Sequence, residues 1–136
     1  MKNISKNISY RESTHSNTAT ARGIDNTPSE ETLVRMRLVA EKVFQPLREW
    51  YGKPIKINSF YRSPLLNKAV KGATRSSHLK GEAIDISAGS KEENRKLFDW
   101  IKENLEVDQC INEYDYTWLH VSYREVGNRN SFFNIK

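Results

Sequence analysis

Hydrophobic positions change period several times along this chain, and each change marks an element. Leu33, Met36, Ala40, Val43, Phe44 and Leu47 recur at helical spacing, with Leu38 and Val39 widening the apolar stripe, which predicts one long amphipathic helix. Its start is expected in Thr27-Pro28-Ser29-Glu30-Glu31, with Thr27 as N-cap, Pro28 at the first helical position and acidic residues in the first turn. Pro46 should bend the helix near its end, because proline lacks the N–H the ladder needs. Tyr51-Gly52-Lys53-Pro54 breaks the pattern, and Ile55 to Phe60 then alternates with the period of a strand. A short helix is expected from Pro64 to Val70, followed by a mobile loop over Lys71 to Arg75.

Alternation returns twice more. In Ala83-Ile84-Asp85-Ile86-Ser87 the isoleucines share one face, which puts Asp85 on the other beside small Ala83 and Ser87. In Trp118-Leu119-His120-Val121-Ser122 the aliphatic Leu119 and Val121 claim the core face, so His120 projects from the opposite side. Between them, Ser90 caps a helix whose first turn is acidic and whose apolar face is Leu97, Trp100, Ile101 and Leu105. Val107 to Glu113 and Trp118 to Tyr123 read as a hairpin joined through Tyr114-Asp115-Tyr116-Thr117. The order of elements predicts an α+β fold, a small, mostly antiparallel sheet with helices packed on one face. Residues 1–26, polar and rich in Ser, Thr and Asn, are expected to be an irregular segment, leaving 27–136 as one domain. His15 in that segment reads as a surface residue.

Composition adds bounds. At 136 residues the chain suits a single core, and its 22 Lys and Arg against 17 Asp and Glu give a net charge of +5 without a dense basic block. Nucleic acid is therefore not a required partner, and a monomer is expected. The first ten residues hold no apolar run suited to a signal or a membrane span. The expectation is a soluble protein made in the cytoplasm, with no membrane partner. The lone cysteine, Cys110, lies in a strand and should be a buried thiol.

The chemistry concentrates at His78, Asp85 and His120. Two imidazoles and one carboxylate form a donor set that zinc favours, and a site with only three protein ligands keeps a position for water or substrate. His78 precedes Lys80-Gly81, where glycine permits a tight turn that could fold the histidine back over the face Asp85 occupies.

Three motifs in order, Asn58-Ser59-Phe60-Tyr61-Arg62-Ser63-Pro64-x-x-Asn67, Ser76-x-His78-x-x-Gly81-x-Ala83-x-Asp85 and Trp118-x-His120-x-Ser122, resemble the M15 family of zinc peptidases, especially its small bacterial and phage branch. The resemblance covers roughly residues 28 to 124. It implies one Zn²⁺ held by His78, Asp85 and His120, and hydrolysis of peptide bonds in peptidoglycan stem peptides. Both a D-Ala-D-Ala carboxypeptidase and an L-Ala-D-Glu endopeptidase remain open, and a protein without a leader would reach the cell wall only on release. Arg62 would hold a substrate carboxylate or the oxyanion formed on attack.

The family commonly places its catalytic acid three positions before the last histidine, where this chain has Thr117. If Asp115 and Tyr116 form a two-residue turn, Glu113 pairs opposite Trp118 and its side chain shares a face with His120. Glu113 is therefore the expected general base, with Asp115 the next choice. The absent acid also leaves room for a zinc-containing peptidoglycan-binding module that does no chemistry.

Overall fold

The computed structural model describes residues 2–135. Helices α1 (Tyr10–Thr14), α2 (Asn17–Arg22), α3 (Glu30–Val39), α4 (Gln45–Tyr51), α5 (Pro64–Ala69) and α6 (Lys91–Asn104) accompany strands β1 (Lys56–Ser59), β2 (Ala83–Ser87), β3 (Gln109–Glu113), β4 (Trp118–Ser122) and β5 (Ser131–Ile135). The strands form one sheet in the order β1-β2-β4-β3-β5, antiparallel throughout except for the β3–β5 pair. This is the α+β arrangement the alternation predicts. No helix among the described residues is long and apolar enough to cross a membrane.

Register decides what each face of the sheet carries. Asp85 lies directly opposite His120 on the β2–β4 pair, and Glu113 opposite Trp118 on the β3–β4 pair. Side chains directly opposite one another share a face, so Asp85, His120, Trp118 and Glu113 all project from one side. The other side presents Ile84, Ile86, Leu119, Val121 and Cys110, all fully buried in one cluster with Met36, Val39, Val43, Phe44 and Leu47 of the long helix and with Leu97 and Ile101 of α6. Each such side chain withdrawn from water contributes about 1.5–3 kcal/mol, which pins the register, because a slip of one residue would bury Asp85 and expose the isoleucines.

The long helix forms, with a different start and a different accommodation of its proline. Ser29, not Thr27, is the N-cap, its hydroxyl accepting from the Thr32 N–H. Thr27 instead bonds the Asp25 carboxylate through its N–H and hydroxyl, so Pro28 stands outside the helix. Ahead of Pro46 the helix widens into a π turn over Ala40–Phe44, in which the Gln45 N–H reaches Ala40 O. The wider turn spares the proline ring its clash with the preceding carbonyl row and absorbs its missing donor.

The amino-terminal segment expected to be irregular instead carries α1 and α2. Neither has an apolar stripe to announce it. Ser9 and Glu12 form a reciprocal capping box at α1, Ser16 caps α2, and Gly23 closes it in the left-handed conformation. Ile4 and Ile8 dock the segment into the core. Strand β5 was also absent from the expectations, and Trp100 is half-buried, stacked on Trp50 at 5.0 Å between ring centroids.

Candidate metal centre

His78, Asp85 and His120 meet. One ligand atom from each lies within 4.8 Å of the others, and each residue arrives by a separate device. Asp85 and His120 stand opposite each other on neighbouring strands. His78 is carried on a short 3₁₀ turn, Ser77–Lys80, capped by the Ser76 hydroxyl and ended by Gly81 at φ +73°. Only glycine suits that position, since a β-carbon there would come within 2.7 Å of Met36 Cγ and 2.9 Å of Thr32 Cγ2. The expected tight turn at Gly81 is thus present and returns the chain to β2.

His78 is 1% exposed. Its Nδ1 sits 2.6 Å from the Phe60 carbonyl oxygen, and a carbonyl only accepts, so Nδ1 carries the proton and Nε2 keeps a free lone pair. That Nε2 is buried without a hydrogen-bond partner, 3.2 Å from Asp85 Oδ2. His120 Nδ1 is 2.9 Å from the other oxygen, Asp85 Oδ1. Burial pushes the Asp85 carboxyl towards its neutral form, but hydrogen bonds and charge from the His120 and His78 imidazoles in their protonated forms more than offset this and hold it well below the usual carboxylate range. With Nδ1–H bonded to the Phe60 carbonyl, a neutral His78 would face the Asp85 oxygen lone pair to lone pair, which is costly unless a proton or a metal cation lies between them. With borderline nitrogen donors and a hard oxygen, the set fits zinc, and the Phe60 carbonyl supplies the outer bond that orients a ligating imidazole.

Arg62 belongs to the same neighbourhood. Its backbone N–H donates to His78 O at 3.2 Å, and its guanidinium donates to the Ser76 hydroxyl at 3.1 Å. Burial lowers the Arg62 pKa, while the charges of Asp85 and Glu113 oppose that shift, which puts the guanidinium in electrostatic reach of both acids. Its Nε–H is buried with no partner among the described residues. A bulge in β1, where Ile57 pairs with Ile86 and Ser59 already with Asp85, bends the chain so that the Phe60–Arg62 run crosses beside the site.

Glu113 shares the site face through its pairing with Trp118, whose indole Nε1–H donates to Glu113 Oε2 at 3.1 Å. The connection beyond it is not the expected two-residue turn. Tyr114, Asp115 and Tyr116 all adopt left-handed backbone angles, at φ 49°, 56° and 61°, and the Thr117 N–H closes on Glu113 O at 3.0 Å. Three consecutive non-glycine residues in this region cost on the order of 1–2 kcal/mol each. The loop is held by Asn94, which donates to Tyr116 O and Thr117 O, and by the Thr117 hydroxyl bonded to Tyr114 O. Asp115 is exposed at the tip and pairs with Lys91 at 3.4 Å. It lines a groove of about 580 Å³ with Phe98, Asn112 and Phe132, and Asn112 faces away from His120 by strand alternation. Thr117 offers no carboxylate. The roles of the Phe60 carbonyl, Ser76 and the Trp118 indole were not anticipated; only the Trp118–Glu113 pair left a sequence signal, as directly opposed residues of a hairpin.

His78, buried, and the partly buried Asp85 and His120 form a triangle that could hold a metal ion, on the face of a small, mostly antiparallel sheet that also carries Glu113. Residues 6–122 match the family model described as Peptidase M15, and the chain belongs to that family. It is accordingly a metallopeptidase, of a family that is metal-dependent and generally uses zinc. No curated protein matches the chain.

Proposed function

We propose that the protein is a zinc peptidase that hydrolyses peptide bonds in bacterial peptidoglycan stem peptides, with His78, Asp85 and His120 as the metal ligands and Glu113 as the general base. The observation that carries the metal assignment is the convergence of His78 Nε2, buried and without a hydrogen-bond partner, with ligand atoms of Asp85 and His120 all within 4.8 Å of one another. Zinc at that triangle would supply Lewis acidity, polarising a carbonyl and acidifying water. Glu113 takes the proton of the attacking water through its carboxylate and returns it to the leaving amine. The Trp118 indole occupies Oε2 and leaves Oε1 to receive that proton. Arg62 offers its unpartnered Nε–H and its positive charge to a substrate carboxylate or to the developing oxyanion.

Support for Glu113 over Asp115 is topological, since Glu113 projects from the face of His120 whereas Asp115 pairs with Lys91 at the hairpin tip. The absence of an acid at Thr117 favours a second reading, a metal-holding module that binds wall peptides without cutting them. Digestion of purified peptidoglycan, with muropeptides resolved by mass spectrometry with and without chelator, separates the two. Chelator-sensitive release of stem-peptide fragments is expected, and the mass of the fragments assigns the bond. Retained zinc with an unaltered muropeptide profile would leave only the binding module.

A further inference from the structure

Strand register carries the site face beyond the metal triangle. Ser59 pairs with Asp85, Asp85 with His120, His120 with Ile111 and Ile111 with Phe133, one row across all five strands. Directly opposed side chains share a face. The row is therefore polar at its β1 end, holds two members of the triangle in the middle, and turns apolar on β3 and β5. The next row on that face is Trp118, Glu113 and Ile135, and the Tyr114 ring lies 5.0 Å from that of Trp118.

The apolar end of these rows is not part of the core. Ile111 is buried yet stands outside the core cluster. Phe133 and Ile135 project from the face opposite Cys110 and Phe132, which belong to the core side, and they remain 37% and 41% exposed. Strand β5 is nevertheless fixed. The Ser131 N–H donates to Asp108 O at 3.0 Å, the Val107 N–H to Asn130 Oδ1 at 2.9 Å, and the Tyr114 N–H to Ile135 O at 2.7 Å. The strand also lies beyond residues 6–122, the part that matches the family model. An exposed apolar shelf on a pinned strand receives a ligand without first having to be ordered.

A peptide whose bond reaches the triangle must lie on this face, and the shelf continues that face without a break. Neighbouring strands are about 4.8 Å apart, so Phe133 stands about 10 Å from His120 along the row, two to three residues of extended peptide. We infer that the shelf is an apolar subsite of the metal centre, in which Phe133 and Ile135 are specificity-determining residues that select a long aliphatic side chain near the bond being cut. The row offers a hydroxyl at one end and hydrocarbon at the other, which gives a bound peptide a preferred direction across the strands. The inference rests on the peptidase reading for the bond that is cut, but binding on the shelf is measured separately.

The test uses stem-type peptides in pairs that differ only two places from the bond, norleucine in one and alanine in the other. One pair carries the change before the bond and one after it, to cover both directions across the row. Calorimetric binding to the Glu113→Gln protein, loaded with zinc, should show norleucine bound at least about fivefold more tightly in one pair, the margin of three methylenes half withdrawn from water. In the same background Phe133→Ser with Ile135→Thr should bring that pair within about twofold, whereas Phe133→Leu with Ile135→Val should keep the preference. Circular dichroism should be unchanged in both, since the replaced side chains are exposed. Equal binding in both pairs, no binding, a preference that survives Phe133→Ser with Ile135→Thr, or one lost in the conservative variant would overturn the inference. So would a wild-type dimer that the Ser and Thr substitutions dissolve, since the shelf would then belong to a second copy. Wild-type cleavage of the same peptides separates the two claims. Selective binding without cleavage defeats the peptidase reading and leaves the subsite standing, whereas cleavage without selectivity does the reverse.

Discussion

Replacing Glu113 with Gln probes the proposed chemistry with little structural disturbance. Glutamine keeps the shape of the side chain and an oxygen to accept the Trp118 indole N–H, now 3.1 Å from Oε2, and it sits where the fold gives it a direct cross-strand partner. Stability should therefore change by less than about 1 kcal/mol, the worth of one neutral hydrogen bond. What is lost is the proton acceptor. General-base catalysis contributes about 10²–10⁴ in rate, or roughly 3–5 kcal/mol of barrier, so kcat should fall by at least about a hundredfold. Asp115→Asn is the matched control. Its carboxylate is 83% exposed and meets only Lys91, at 3.4 Å, an ion pair worth about 0–1 kcal/mol, so its kcat should stay within about twofold of wild type. Release of a muropeptide or a chromogenic peptide gives kcat, and metal analysis shows that both variants hold zinc. Normal turnover in Glu113→Gln together with an inactive Asp115→Asn would refute the assignment and move the base to the hairpin tip.

Asn94 is fully buried and ties α6 to β2 and to the left-handed loop, accepting from the Ala88 N–H at 2.7 Å and donating to Ser87, Tyr116 and Thr117. Asn94→Ala should cost about 3 kcal/mol, since several bonds of about 1 kcal/mol each vanish together, and urea unfolding would show this as a midpoint lowered by more than about 1 M; a shift near zero would mean that the loop holds its conformation unaided. Gly81→Ala should destabilise by about 2–4 kcal/mol, combining a strained φ with overpacking against Met36, and should weaken zinc retention by displacing His78; a wild-type melting temperature would contradict this. The Glu93 carboxylate is held at about 2, against an ordinary 4.5, chiefly by the hydrogen bond from Lys96 and then by that from Tyr51. A depressed carboxylate stabilises the fold above its unfolded pKa and loses that effect as pH falls through the folded one, so Glu93→Gln should flatten the loss of stability between about pH 4.5 and 2; an unchanged slope in thermal melts would rule out the coupling.

Much of the site was legible because it depends on strand alternation. The isoleucines flanking Asp85 and the aliphatic pair flanking His120 had to be buried, so both polar side chains had to leave the sheet on its other face, whereas their direct pairing across β2 and β4 is set by a register that alternation alone does not fix. The hairpin pairing of Glu113 with Trp118 was likewise recoverable from spacing, although its loop is a left-handed turn of Tyr114, Asp115 and Tyr116, which no local preference of those residues would suggest. Helices α1 and α2 escaped notice because they are held by serine caps and docking rather than by an apolar stripe. Strand β5 is short, lies at an edge and pairs in parallel with β3, a long-range contact without periodicity of its own. The proline effect was anticipated, but not its form, because a π turn depends on how the whole helix packs. The Phe60 carbonyl that sets the His78 tautomer is a backbone group that carries no residue signature.

Zinc stoichiometry tests the central claim most directly. Protein purified, stripped with chelator, replenished with zinc and desalted should return about one ion per chain by elemental analysis, the occupancy of a three-ligand catalytic site. Asp85→Ala should return almost none while keeping a native circular dichroism spectrum. A replenished wild type that comes back empty, or an Asp85→Ala protein that retains as much zinc as the wild type, would contradict the account.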